Sequence, residues 1–265
     1  MPHHIALLDS GVGGLTIFEH VVKDSPNANF TYICDTAAYP YGKLPEDRLK
    51  SRVDKVVTQL HRELPFDLLV VACNTASTIV LAELRGKIPQ PVVGVVPAVK
   101  PAAEQSPEGV ITVLATPGTV ERQYLQTLVA DFAQGKTVHL VAAPELVQWA
   151  EDKARGLPWP VAEFEQWVAT KVTPLQADTV VLGCTHFPLL RAELQSVLGA
   201  HVTLLDSGAA IGRRVNSLLA ELPPKTGSSQ SPLRRYLSTG THIPKDLQQL
   251  YLEPLGFNSL ELWSV

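Results

Sequence analysis

Two cysteines stand in nearly the same phrase. Asp67-Leu-Leu-Val-Val-Ala-Cys73 is echoed by Asp178-Thr-Val-Val-Leu-Gly-Cys184, and each Cys is followed closely by a Thr. A short apolar run bounded by polar residues reads as a buried parallel strand. Each Cys then lies at the carboxyl end of a strand, just before a helix, where open α/β sheets place their ligands. A thiolate can act as a nucleophile or as a base. A cysteine hydrolase needs one thiol, a His base and an oxyanion hole, with no use for a mirrored second Cys. Inverting a carbon stereocentre through a planar carbanion does need two groups on opposite faces. One takes the proton, and the other, as a thiol, returns a different one. A lone strand Cys is often just a small buried hydrophobe; it is the matched placement of two that points to chemistry. A helix N-terminus favours the thiolate, so a lowered thiol pKa is expected. Cys34 has no matching phrase and is expected to pack in its strand. Neither a CxxC nor a closely spaced His pair accompanies the thiols, so no metal is expected.

Other polar residues gather around these phrases. The loop Asp9-Ser-Gly-Val-Gly-Gly14 follows a first apolar run, and Leu-Leu-Asp9-Ser-Gly recurs as Leu-Leu-Asp206-Ser-Gly. The loop is not GxGxxG, and the chain holds no Gly-x-x-x-x-Gly-Lys-Ser/Thr phosphate loop, so a nucleotide is not expected. Its backbone N–H groups could still hold a small anion such as a carboxylate. Asp9 could meet a substrate ammonium or cap the next helix. Asn74, Thr75 and Thr185 set amide and hydroxyl donors beside each thiol, suited to a carboxylate, and each could equally cap a helix. His186 stands two residues past Cys184, placed to assist its proton traffic. Cys34-Asp-Thr-Ala-Ala-Tyr-Pro-Tyr-Gly42 reads as a strand exit and turn, or as a wall over a cleft.

The elements that must carry these residues alternate. Strands are expected at 5–8, 29–34, 67–72, 92–96, 110–115, 137–142, 179–183, 202–205 and 235–239. Helices are expected at 15–23, 45–64, after Thr75, at 121–133, 144–154, 160–175, up to about 222, and last at 244–255. This alternation predicts parallel sheets with helices on both faces. The pattern restarts near 108, with Thr116 where Asp9 stood. We therefore expect an α/β fold of two pseudo-symmetric lobes with the active site in the cleft between them. Residues 1–97 plus 207–265 would form the first lobe and 98–206 the second.

Composition limits the alternatives. The 265 residues are 45% hydrophobic, enough for a sizeable core, and carry 22 basic against 26 acidic side chains. A formal charge of −4 gives no footprint for nucleic acid. The pairs Arg213-Arg214 and Arg234-Arg235 are expected to be solvated charges. Three cysteines make no disulfide framework, which fits a reducing compartment and a cytoplasmic protein. No signal peptide or membrane-spanning run is legible. The stretch 223–232 reads as a polar surface loop.

The ordered motifs Asp9-Ser-Gly-Val-Gly-Gly-Leu15, Asp35-Thr-Ala-Ala-Tyr-Pro-Tyr-Gly42, Ala72-Cys-Asn-Thr-Ala76, Ala115-Thr-Pro-Gly-Thr119 and Gly183-Cys-Thr-His186 together resemble the glutamate racemase family. The resemblance is colinear along essentially the whole chain. It implies cofactor-independent interconversion of L- and D-glutamate, supplying D-glutamate for peptidoglycan. Cys73 and Cys184 match the family's two acid/base groups, with Cys73 serving D-glutamate and Cys184 L-glutamate. Asp9, Ser10, Tyr41, Gly42, Asn74, Thr75, Thr185 and His186 match its substrate contacts. An acidic residue of the second lobe is also implied, and Glu151 is the candidate. Expected partners are a small-molecule substrate and a second copy in a homodimer, with neither nucleic acid nor membrane. Open alternatives are an aspartate racemase or other relative of the superfamily, a binding or regulatory protein without catalysis, and a cysteine hydrolase. His186, where aspartate racemases typically carry an acidic residue, and the Pro-Tyr-Gly segment favour glutamate.

Overall fold

The computed structural model describes residues 2–225 and 232–265. Most of the polar loop expected at 223–232 thus lies outside the described residues. Among the described residues ten strands form two sheets, and every strand pair is parallel. The first sheet takes β1 (His4–Asp9), β2 (Asn29–Cys34), β3 (Leu68–Val71), β4 (Val92–Gly94), β9 (Arg234–Ser238) and β10 (Ser259–Leu262), in the order β10-β9-β2-β1-β3-β4. The second takes β5 (Val110–Ala115), β6 (Thr137–Ala142), β7 (Thr179–Leu182) and β8 (Thr203–Leu205), in the order β6-β5-β7-β8. Four strands of the first sheet, β2-β1-β3-β4, therefore repeat the order of the second, which is the internal symmetry of the two Cys phrases.

The repeated shape of the phrase has a structural cause at its first residue. Asp67 accepts the N–H of His4, at the start of the central strand β1, at 2.8 Å. Asp178 does the same for Glu108 and Val110, at the start of β5, at 2.9 and 3.3 Å. Each Asp thus ties the foot of a Cys-bearing strand to its neighbour. The register pairs Leu8 with Val71 and Leu114 with Leu182, so the chain leaves both sheets at matched heights. The strand interiors β3 and β7 are buried along their full length, as runs covered on both faces must be.

The first sheet is covered on one face by an aromatic cluster of Phe18, Phe30, Tyr32, Tyr236 and Phe257. Its other face meets helix Glu46–Glu63 through Leu49, Val53, Val56, Val57 and Leu60, at the helical spacing read from the sequence. Helix Pro144–Ala154 packs on the second sheet through Leu146, Val147 and Ala150. Between the sheets the chain passes outward near 95–98 and back near 206–208. The two passages touch, with the Ser207 hydroxyl donating to the Val96 carbonyl. The late Asp-Ser-Gly echo serves this return: Asp206 accepts the Gly208 N–H at 2.7 Å and pairs with Arg191.

Several elements differ from expectation. The last strand, β10, was not foreseen; its Ser-Leu-Glu-Leu run is only half buried and gives a weak pattern at a sheet edge. Arg234 and Arg235, on β9 beside β10, are half-buried rather than solvated: Arg234 donates to the Leu255 carbonyl and Arg235 forms an ion pair with Glu261. Arg213 and Arg214 are exposed. The final helix is short, Lys245–Leu247, continuing into a π-helical turn over Gln248–Leu252. Helices Val99–Gln105 and Arg191–Leu198 were also not foreseen.

Candidate active site

Cys73 and Cys184 face one cavity of about 280 Å³ between the lobes. That volume suits a small metabolite, below the ~300–1,000 Å³ usual for drug-sized ligands. Asp9, Ser10, Tyr41, Gly42, Asn74, Thr75, Thr185 and His186 line the same cavity. So do Tyr39, Lys43, Thr116, Pro117 and Gln148, which were not candidates. The Ala115-Thr-Pro-Gly-Thr119 phrase marked Thr116 only as the counterpart of Asp9. Lys43 sits in a polar stretch with nothing in its spacing to distinguish it.

Each thiol has its own titratable neighbour. On one side stands Asp9, at the end of β1. Its carboxylate accepts N–H bonds from Ser10 at 2.6 Å and from Gly14, and the Thr185 hydroxyl donates to it at 3.2 Å. Burial raises the Asp9 carboxyl to about 6, although His186 and these N–H groups pull it down. On the other side His186 Nδ1 lies 3.8 Å from Cys184 Sγ, and His186 Nε2 lies 2.9 Å from Glu151 Oε1. Burial works against a charge on His186. The contacts with Cys184 and Glu151 outweigh it and hold the imidazole protonated well above its ordinary value.

Glu151 is placed differently from the other candidates. It does not line the cavity but stands behind His186, 1% exposed. Burial opposes its charge, yet His186, the Val12 N–H and Arg155 together keep its carboxyl below the usual range. It reaches the cavity through the imidazole.

Four expectations are corrected or narrowed. Three N–H groups of the glycine loop are taken up inside the protein, which narrows what it can offer an external anion: Ser10 and Gly14 give theirs to Asp9, and Val12 gives its to Glu151 at 2.8 Å. The glycines are there for close approach. A Cβ on Gly11 would lie 2.2 Å from Glu151 Oε1, and one on Gly13 2.4 Å from His186 Nδ1. The second correction concerns Cys73. It does precede a helix, Asn74–Lys87. Burial nonetheless pushes its thiol well up, Asp9 adds to this, and the backbone N–H of Ala76 offsets only part. Third, the Tyr41 hydroxyl donates to Asp35 at 2.7 Å. What the Tyr41-Gly42 turn can offer a ligand is therefore its backbone. Cys184 also departs from the expected junction: a 3₁₀ turn, Phe187–Leu190, intervenes before helix Arg191–Leu198.

Donors for a carboxylate remain. Asn74 Nδ2 is buried with no hydrogen-bond partner among the described residues. The hydroxyls of Thr75, Thr116 and Thr119 lie 3.0 to 3.4 Å apart in a triangle that joins the lobes. Cys34 is fully buried at the end of β2 and does not line this cavity. Among the described residues no cluster of His, Cys, Asp and Glu has the make-up of a metal site, and no helix is long and apolar enough to cross a membrane.

This chain is similar to known racemases in sequence and in fold. A family model described as Asp/Glu/Hydantoin racemase matches residues 16–215. Glutamate racemase from Vibrio vulnificus is 46% identical over 98% of this chain and 97% of its own length. The Vibrio cholerae enzyme is 44% identical over 97% and 95%. The crystal structure of Escherichia coli glutamate racemase, in complex with L-glutamate and the activator UDP-MurNAc-Ala, aligns at a TM-score of 0.91 with 38% identity, covering 100% of this chain and 99% of that one. The RacE1 isoform from Bacillus anthracis aligns at 0.82 with 30% identity over 99% and 97%. The chain belongs to the glutamate racemases of the Asp/Glu/hydantoin racemase family and is an amino-acid racemase.

Proposed function

We propose that this racemase interconverts L- and D-glutamate without a cofactor, using Cys73 and Cys184 as acid/base groups on opposite faces of the α-carbon. The observation that carries the reading is the pairing of each thiol with its own titratable neighbour across one small cavity, Asp9 for Cys73 and His186 for Cys184. In one direction the Cys184 thiolate takes the α-proton of L-glutamate, and the Cys73 thiol delivers its proton to the other face. That turnover leaves Cys184 as thiol and Cys73 as thiolate, the state from which the reverse direction runs with the roles exchanged. A buried Cys73 beside a carboxylate stays a thiol until a cation joins it. The substrate ammonium, meeting Asp9, supplies that charge at the moment of binding. Asn74 and the threonine triangle suit the α-carboxylate, and the backbone at Gly42 the distal one. That Escherichia coli glutamate racemase was solved with L-glutamate supports this substrate. D-Glutamate formed this way would feed peptidoglycan synthesis.

The test is solvent-deuterium exchange at the α-carbon with no added cofactor. Both enantiomers should be labelled, and Cys73→Ser or Cys184→Ser should remove most racemisation, because a hydroxyl is a far poorer base than a thiolate. L- and D-glutamate have equal free energies, so kcat/KM must fall equally in both directions. The faces separate only in a one-way reaction, such as loss of hydrogen halide from a halogenated glutamate analogue. There, Cys184→Ser should suppress the L-analogue and Cys73→Ser the D-analogue. Dependence on pyridoxal phosphate, or activity surviving loss of both thiols, would sink the reading.

A further inference from the structure

Glu151 divides its carboxylate between two neighbours. Oε1 takes the Val12 N–H and faces His186, while Oε2 lies 3.1 Å from Arg155 Nε. Glu151 and Arg155 are one turn apart at the end of helix Pro144–Ala154, on the same face. The Arg155 side chain is 32% exposed and lines a second cavity, together with Cys34, Tyr236 and His242. A contact series thus runs from the outer surface to the thiol, from Arg155 through Glu151 and His186 to Cys184.

We infer that Arg155 is a positioning residue for the Cys184 half of the reaction: its guanidinium keeps the Glu151 carboxylate turned to His186, so that His186 stays directed at Cys184. Arg155 itself lies in the lining of the second cavity and not of the first. The charges give the reason. With Cys184 as thiolate and His186 as imidazolium, Arg155 balances Glu151 and the series is neutral. Without Arg155 the same thiolate would leave a net negative cluster next to buried Asp9. Glu151 would lose the partner of one oxygen in a buried setting, and must rotate or take up a proton. Either change withdraws support from the imidazolium. The groups facing His186 are Cys184, Glu151, Asp9 and the Tyr39 ring, 6.2 Å between ring centroids. Cys34, Tyr32 and Tyr236 stand within electrostatic reach of Glu151, and none of them brings a cation.

Two readouts test this in Arg155→Gln and Arg155→Lys. The first is an NMR titration of the His186 imidazole in histidine-labelled enzyme. Its midpoint should fall in Arg155→Gln and return towards the parent value in Arg155→Lys. The second is one-way elimination from the L- and D-forms of a halogenated glutamate, in which the thiolate takes the α-proton and halide leaves with the carbon–halogen bond pair. Arg155→Gln should slow the L-analogue about tenfold, the equivalent of one pKa unit, and largely spare the D-analogue. An unmoved or raised His186 midpoint, the latter expected if Glu151 keeps its place and charge without Arg155, or equal losses on both analogues, would overturn the assignment. The kinetic arm rests on the two-thiol reading proposed above, so Cys184→Ser is run beside it. If that variant fails to separate the analogues, the fault lies with the two-thiol reading, and the titration alone decides the role of Arg155.

Discussion

Asp9 is the residue whose charge state the fold alters most usefully. It is fully buried, and burial raises its carboxyl to about 6, so the native state binds a proton that the unfolded chain has largely released between pH 4 and 6. Stability from this group is therefore greatest below the unfolded pKa and falls as pH rises through about 6. The shift of about two units corresponds to roughly 3 kcal/mol. Asp9→Asn removes this dependence. Thermal melts at pH 4.5 and 7.5 should show the variant gaining on the parent protein by several degrees at the higher pH, while racemisation is lost. A difference that stays constant with pH would mean that Asp9 is not held near 6. His186 has the opposite chemistry and the same direction. Its raised pKa gives stability that is complete below its unfolded pKa and is lost as pH climbs through the elevated one.

At the scale of elements, the loop after β1 is shaped by what packs on it from the other lobe. Gly13 admits His186 so closely that a Cβ there would sit 2.4 Å from Nδ1 and 2.7 Å from Cε1. The imidazole cannot retreat, because Glu151 holds its far nitrogen and the ring is buried. Gly13→Ala should cost about 1–3 kcal/mol through overpacking and more than tenfold in turnover by moving His186 off Cys184. Gly86 supplies the control. It is exposed in helix Asn74–Lys87 with nothing within 4 Å of an added Cβ, so Gly86→Ala should leave turnover unchanged and stabilise by about 0.5–1 kcal/mol. Denaturant melts and steady-state rates on the two variants decide it. Equal effects on turnover would show that close approach at Gly13 has no catalytic consequence.

On the proposed reading the whole molecule sets the length of substrate it accepts, because donors from both lobes would have to be satisfied together. Asn74 and the Tyr41-Gly42 turn come from the first lobe, Thr116 and Thr185 from the second. The Tyr41 turn is anchored by Asp35, which also holds Arg52 and Thr239, and Arg52 in turn reaches the carbonyl of Val265. A turn fixed from this far away cannot move inward to meet a shorter acid. Aspartate lacks one methylene, worth only ~1–3 kcal/mol in an apolar pocket, but leaving buried donors unpaired costs more. Aspartate should therefore be a very poor substrate. Rates on both amino acids under the same conditions check this, and comparable turnover would remove the Gly42 assignment.

The sequence alone determined where the two thiols would stand. Apolar runs of four to six residues bounded by polar ones are too short for a typical helix and read as covered strands, so a Cys at the end of each is placed by local pattern. The parallel sheets, the repeat of Asp67–Cys73 in Asp178–Cys184, and the polar residues beside each thiol were legible for the same reason. Strand β10 was not, since a half-exposed edge carries little periodicity. Tertiary structure alone decided the electrostatics. Val12 meets Glu151 across 139 residues and Thr185 meets Asp9 across 176. No spacing rule links such positions. Burial in the assembled cleft, rather than the adjoining helix terminus, pushes the Cys73 thiol up. It also raises Asp9, and it turns the Tyr41 hydroxyl towards Asp35. Periodicity reports what a residue's neighbours along the chain require. A charge answers to everything the fold brings within a few ångströms of it, and only the folded chain specifies that.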